Sequence, residues 1–240
     1  MNEPKVLALW SAPRCMSTAF LRMMVQRGDF QVIHEPFSDL AAQGEYHVAG
    51  QRVTTGEDLL GAMLALAADG PVFFKDTTEY RHAGRFAADH RLFEQVEHTF
   101  IIRDPRRVVE SHYAMNPQVT LPEIGFEYLH EIFELVSQRT GTTPVIVDAD
   151  ELVRRPRDTV AAYCRAVGIP FAEQAMAWES GERTEWSRTS GWHQDVARST
   201  TFQASDSAYE TRIDNNATLA EYYRYHLPYY ERLRDFALRT

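Results

Sequence analysis

The chain has 240 residues, of which 44% are hydrophobic and 25% charged, a globular composition that excludes disordered, collagen-like and low-complexity classes. Its 25 Lys and Arg face 34 Asp and Glu. The resulting net charge of −9 argues against nucleic acid or an anionic membrane as partner, and confines any anion binding to a local cluster of donors.

In chain order, the opening apolar run is too short for a signal peptide, and the longest later run, around Ala62–Ala68, is far below spanning length. Cys15 and Cys164 give neither a disulfide framework nor zinc-ligand spacing, so a cytoplasmic protein without a metal is expected. Val6–Trp10, a short apolar run between turn residues, reads as a buried strand. Phe20, Leu21, Met24 and Val25 have helical spacing within Ser17–Arg27. Gln31–His34 reads as a second strand, closed by Pro36. Thr55 can cap a helix from Gly56 to Asp69 that Gly70 stops. Val72–Lys75 predicts a strand, His82–Gln95 a helix and His98–Ile102 another strand. Pro105 opens a helix towards Met115, and Pro122 one towards Gln138. A strand at Val145–Asp148 follows, then a helix from Pro156 to Gly168 and a last helix at Ala217–Leu238 that contains Pro228.

Strands separated by helices of this length imply crossover connections. The expected fold is a single α/β domain over residues 1–240, with a mainly parallel sheet covered by helices on both faces. The stretch from Glu179 to Asn216 is polar and weakly periodic. Its length marks it as a functional covering loop, and Trp186, Trp192 and Phe202 suggest that it packs on something.

Two segments carry chemistry. In the first, Val6–Trp10 runs into Ser11-Ala12-Pro13-Arg14-Cys15-Met16-Ser17-Thr18 and then a helix. In a parallel sheet that turn lies at the ligand-binding edge, and the helix points free N–H groups at it. With Arg14, Ser17 and Thr18 this makes an anion site; a helix start capped by Ser17 or Thr18 is the other reading. The second segment is Phe100–Ser111, in which a strand ends in Arg103 and Ser111 lies two helical turns further on. Arg103 is placed for a second anionic group. Arg106 and Arg107 read as solvated, or paired with Asp104 and Glu110.

These segments resemble the sulfotransferase family that uses 3′-phosphoadenosine 5′-phosphosulfate (PAPS). Pro13, Arg14, Ser17 and Thr18 match its 5′-phosphosulfate loop; Arg103, Asp104, Pro105, Arg106 and Ser111 match its 3′-phosphate segment. Asp150–Pro156 with Gly168-Ile169-Pro170-Phe171 is similar to a third family region. The resemblance implies an α/β domain with a five-stranded parallel sheet, PAPS as co-substrate and adenosine 3′,5′-bisphosphate (PAP) as product. It assigns nucleotide binding to Arg14, Cys15, Met16, Ser17, Thr18, Arg103 and Ser111, and implies a small-molecule acceptor.

The chain departs from the family in three places. Cys15-Met16 replaces Ser-Gly, which predicts a slightly different loop, and Cys15 reads as a packed small residue or a reactive thiol near Arg14. The closing Arg-Lys-Gly segment is missing, with Arg188 or Arg198 as substitutes. Thr77 stands where one branch has its catalytic His, so Glu35 becomes the expected base and Lys75 the charge stabiliser, alongside Arg14. His34, His82 and Asp76 are alternative bases. The rival functions are a nucleotide-binding protein without turnover and a kinase-like phosphotransferase, the latter disfavoured by the absence of a Gly-rich Lys loop. A monomer or a homodimer is expected.

Overall fold

The computed structural model describes residues 6–80, 89–181, 183, 186, 191–192, 194–203 and 209–239. The chain opens with β1 (Val6–Ser11), α1 (Ser17–Arg27) and β2 (Gln31–His34), then α2 (Pro36–Gln43) and a hairpin of β3 (Tyr46–Val48) and β4 (Gln51–Val53). It continues through α3 (Gly56–Leu66), β5 (Val72–Thr77), α4 (Arg91–Gln95), β6 (Val96–Ile102) and α5 (Pro105–Met115). After these come α6 (Phe126–Thr140), β7 (Val145–Asp148), α7 (Ala149–Arg154), α8 (Pro156–Val167), α9 (Gln194–Arg198) and α10 (Ala217–Arg234). Among the described residues no helix is long and apolar enough to cross a membrane.

Five strands form one parallel sheet, as expected, and their order in it is β2-β5-β1-β6-β7. Every residue of the central strand β1 is buried. The twofold alternation of a strand sends its side chains to two cores. Leu7 and Leu9, with Phe73, Ile101 and Val147, face α1 and α8 through Phe20, Met24, Val160 and Tyr163. Val6, Ala8 and Trp10, with Phe74, Phe100 and Ile146, face α2, α3, α5, α6 and α10. Burial on both faces explains why these strands are continuous apolar runs rather than alternating ones.

The differences from the sequence reading lie between strands. Pro36 opens α2 at its first turn instead of ending the structure there. Pro122 opens a single 3-10 turn, Pro122–Ile124, and α6 starts only after Gly125. Gly125 has φ 88°, and a Cβ there would lie 2.8 Å from Thr78 Oγ1 and 2.9 Å from Pro13 Cδ. Only glycine lets the start of α6 lean on the loop after β1. The helix expected at His82–Gln95 is the short α4 within the described residues; residues 81–88 lie outside them. Pro228 sits inside α10 without ending it.

One buried histidine makes the fold acid-sensitive. His98 Nδ1 accepts a hydrogen bond from Trp10 Nε1 at 2.9 Å, so the neutral ring donates from Nε2 to the Leu92 carbonyl, also at 2.9 Å. Burial pushes its pKa from 6.5 down to about 4. The unfolded chain therefore binds the proton first, and stability falls as pH drops from 6.5 towards 4. Urea unfolding at pH 5 should show a loss on the order of 2 kcal/mol from this residue relative to pH 7. An imidazole NMR signal for His98 titrating near 6.5 would overturn the assignment.

Candidate active site

The loop after β1 holds two non-glycine residues in the left-handed region, Arg14 and Met16, both at φ 65°. Met16 thus keeps the backbone shape that a glycine gives most easily. It is the N-cap residue of α1, and no side chain caps that end. The alternative of a start capped by Ser17 or Thr18 therefore does not form. Ser17 Oγ instead accepts a hydrogen bond from Ser11 Oγ at 2.9 Å, and the N-terminus of α1 opens on the cleft.

The two segments expected to bind anions meet. Arg14 Nε donates to Ser111 Oγ at 3.0 Å, and Arg14 Nη1 to the Trp192 carbonyl at 2.7 Å. Arg103 Nη1 donates to the Arg14 carbonyl at 3.2 Å. Arg103 Nε is buried with no hydrogen-bond partner. Burial is the main effect lowering the Arg14 pKa, and the Arg103 charge adds to it. An anion near these two guanidiniums relieves both effects. The side chains of Arg106 and Arg107 are both solvated, as expected; Arg106 pairs with Glu110 at 3.9 Å and, beyond the sequence reading, with Asp214 at 2.8 Å, while Arg107 lies 3.6 Å from Asp150. Asp104 caps α5 by accepting from Arg106 N at 2.8 Å.

Cys15 is fully buried in an apolar core, and burial pushes its thiol up to about 12. It is a packed small residue. It is not among the residues lining the cleft, unlike its neighbours Arg14 and Met16.

At the ends of β2 and β5 sits a charged pair. Glu35 stands at φ 45° between β2 and α2, and Lys75 Nζ donates to Glu35 Oε1. Lys75 is 1% exposed, so its stem is held by the sheet and its amine is aimed at Glu35. His34 Nε2 is 3.7 Å from the same oxygen, and burial pushes its pKa down to about 4. Thr77 also lines the cleft.

Asp76, one of the alternative bases, is engaged elsewhere. Its Oδ2 accepts from Phe37 N at 2.7 Å; its Oδ1 accepts from Ser38 N at 3.2 Å, Ser38 Oγ at 2.5 Å and Thr77 N at 2.9 Å. It caps α2 from the neighbouring strand. Burial raises its pKa to about 7 while these bonds pull the other way. His82 lies outside the described residues.

Arg14, Met16, Ser17, Thr18, Glu35, Lys75, Thr77 and Arg103 line a cleft of roughly 730 Å³; Ser111, His34 and Asp76 lie behind its lining. One wall comes from the expected covering segment, through Trp192, Asp195, Val196 and Arg198; Arg188 lies outside the described residues. Trp186 and Phe202 pack that segment into the core beside α1. Two contributors escaped the sequence reading. Arg22, 2% exposed, donates from α1 to the Glu179 and Gly181 carbonyls and lies over the Trp186 ring at 5.6 Å. Glu79, just past β5, lines the cleft.

Residues 5–237 match the family described as a sulfotransferase domain. Over 215 residues the chain is 29% identical to branched-chain-amino-acid aminotransferase-like protein 1 of Arabidopsis thaliana and 28% identical to protein 2 of that name. These matches cover 85% and 83% of the chain but 38% and 36% of those proteins, so the chain spans little more than a third of the curated relatives' length. Two solved structures share its fold. The sulfotransferase domain from the curacin biosynthetic pathway has a TM-score of 0.52 at 12% identity, covering 83% of this chain and 84% of that one. The sulfotransferase domain from the Synechococcus PCC 7002 olefin synthase has a TM-score of 0.51 at 13% identity, covering 95% and 96%.

Proposed function

The chain belongs to the sulfotransferase-domain family, and we propose that it moves a sulfuryl group from PAPS to a hydroxyl or amine of a small molecule. Arg103 carries the PAPS reading. Its Nε is a buried donor with no partner, beside a loop that ends in an uncapped helix start. An unsatisfied charged donor costs more than the ~1–3 kcal/mol of a neutral one, and an anionic ligand offsets it.

In this reading Arg103 and Ser111 hold the 3′-phosphate. Ser17, Thr18 and the backbone of Cys15 and Met16 hold the 5′ end against the start of α1. The nucleotide supplies an activated sulfuryl group when bound. Arg14 lies between the two subsites and stabilises the charge that grows on the leaving phosphate oxygen. Its bond to the Trp192 carbonyl also ties the covering segment to that place. Glu35 accepts the acceptor's proton, and Lys75 orients it and adds positive charge at the reacting end.

Calorimetry with PAP and adenosine 5′-phosphate tests the assignment. Losing the 3′-phosphate leaves Arg103 unpaired, so the monophosphate should bind about 2–3 kcal/mol more weakly. Equal affinities for the two nucleotides would sink it.

A further inference from the structure

Behind the Lys75–Glu35 pair, the cleft has a polar corner that the transfer chemistry leaves unused. Glu79 lines it, with its side chain 24% exposed. Among the described residues, its nearest basic atom is His112 Nε2 at 4.0 Å. His112 follows Ser111 on α5, is fully buried, and has no hydrogen-bond partner on either ring nitrogen. Its ring stands edge-on to Trp192 with centroids 5.7 Å apart. Both of these neighbours of the imidazole therefore line the cleft, and its orphaned nitrogens lie just behind the wall.

The charges here are one-sided. Burial, with Arg14 assisting, pushes His112 down to about 4, so near pH 7 the ring is neutral and supplies no positive charge. Burial and the carboxylates of Glu35 and Glu123 push Glu79 up to about 7, against a pull from Lys75. Lys75 itself is held by Glu35. Among the described residues the corner offers a carboxyl group about half ionised near pH 7 and an imidazole lone pair, with no cation between them.

The separation suits a bridging atom. At 4.0 Å the two groups are too far apart to bond directly, and the ring nitrogens are closed off from the cleft as they stand, so a polar atom about 2.8 Å from each requires the Glu79 side chain to turn aside. A hydroxyl there has one proton to donate and brings no charge. An ammonium has three donors, can serve both acceptors at once, and supplies the missing cation.

We propose that Glu79 and His112 form the subsite for a protonated aliphatic amine carried by the acceptor, which makes the acceptor class an amino alcohol, with its hydroxyl at Glu35 and its ammonium at Glu79. This rests on the reading of the cleft as a sulfuryl-transfer site.

Calorimetric titrations of the full chain, first with PAP and then with PAP kept saturating, test the two separately. The probes are ω-amino alcohols of three to six carbons, and the diols of equal length are neutral controls. At least one amino alcohol should bind about tenfold or more tightly than its diol, the effect of one charge-assisted hydrogen bond. Glu79→Gln should bring that ratio close to one, and its PAP titration shows that the variant is folded. Equal binding of amine and diol by the parent chain overturns the inference and leaves only a bridging water at the corner. A preference that survives Glu79→Gln overturns it too, because the ammonium then sits elsewhere. In both cases PAP binding still stands. Failure of PAP to bind is a different result: it removes the sulfuryl-transfer reading, and the acceptor subsite falls with it.

Discussion

Glu35→Gln is expected to keep PAP affinity and to lose about two to four orders of magnitude in turnover, the range for removing a general base. The substitution preserves size and leaves an amide oxygen for Lys75 Nζ, so the buried lysine keeps an acceptor. What disappears is the ability to take a proton. Glu35 is held where that proton would arise, by the backbone at the end of β2 and by a lysine that the sheet fixes in place. The check is kcat at saturating PAPS, with sulfated product quantified, against calorimetric PAP affinity. Near-normal turnover in Glu35→Gln would refute the assignment. The role would then pass to His34, whose Nε2 lies 3.7 Å from the same oxygen.

Asp76→Ala is expected to be the most destabilising single change near the cleft, by about 3–5 kcal/mol. It removes in one step the carboxylate that accepts from the Phe37, Ser38 and Thr77 N–H groups, and takes from the Ser38 hydroxyl its 2.5 Å acceptor, leaving its longer contacts to Thr77. For a chain of this size that corresponds to a fall in Tm of roughly 6–20 °C. The same count explains why Asp76 makes a poor base: its lone pairs are committed to the start of α2. Thermal unfolding of Asp76→Ala and Asp76→Asn decides the point. Parent-like stability in both, combined with lost turnover, would return Asp76 to the list of bases.

All five strands of the sheet and helix α1 were legible because their apolar runs are closed by turn residues; β5 runs two residues further and β6 begins two residues earlier than those runs. Helix α2 was missed because a proline at a first turn and a proline that ends a strand look alike until the backbone is seen. The hairpin β3–β4 was missed because strands of three residues are too short to show alternation. In the site, Arg14, Glu35, Lys75, Arg103 and Ser111 could be named because strand ends and a family resemblance mark them. Arg22 could not. It sits in the chain between Leu21 and Met23 like any solvated helix arginine, and its burial makes sense only in three dimensions, beside the carbonyls of Glu179 and Gly181 and the Trp186 ring. Glu79 and His112 are unremarkable in sequence. Their meaning comes from lying 4.0 Å apart, with neither His112 ring nitrogen hydrogen-bonded among the described residues.

Arg14, Met16 and Glu35 all adopt left-handed backbone conformations without being glycine. At ~1–2 kcal/mol each, the rim of the cleft holds strain comparable to a sizeable part of a domain's net stability. This sets a rule for altering acceptor range by directed evolution. A library confined to the rim starts with little tolerance, since most substitutions destabilise further and unfolded variants hide useful ones. Stabilising the far side of the sheet first, for example at exposed positions of α3 or α6, widens the set of rim variants that survive long enough to be selected.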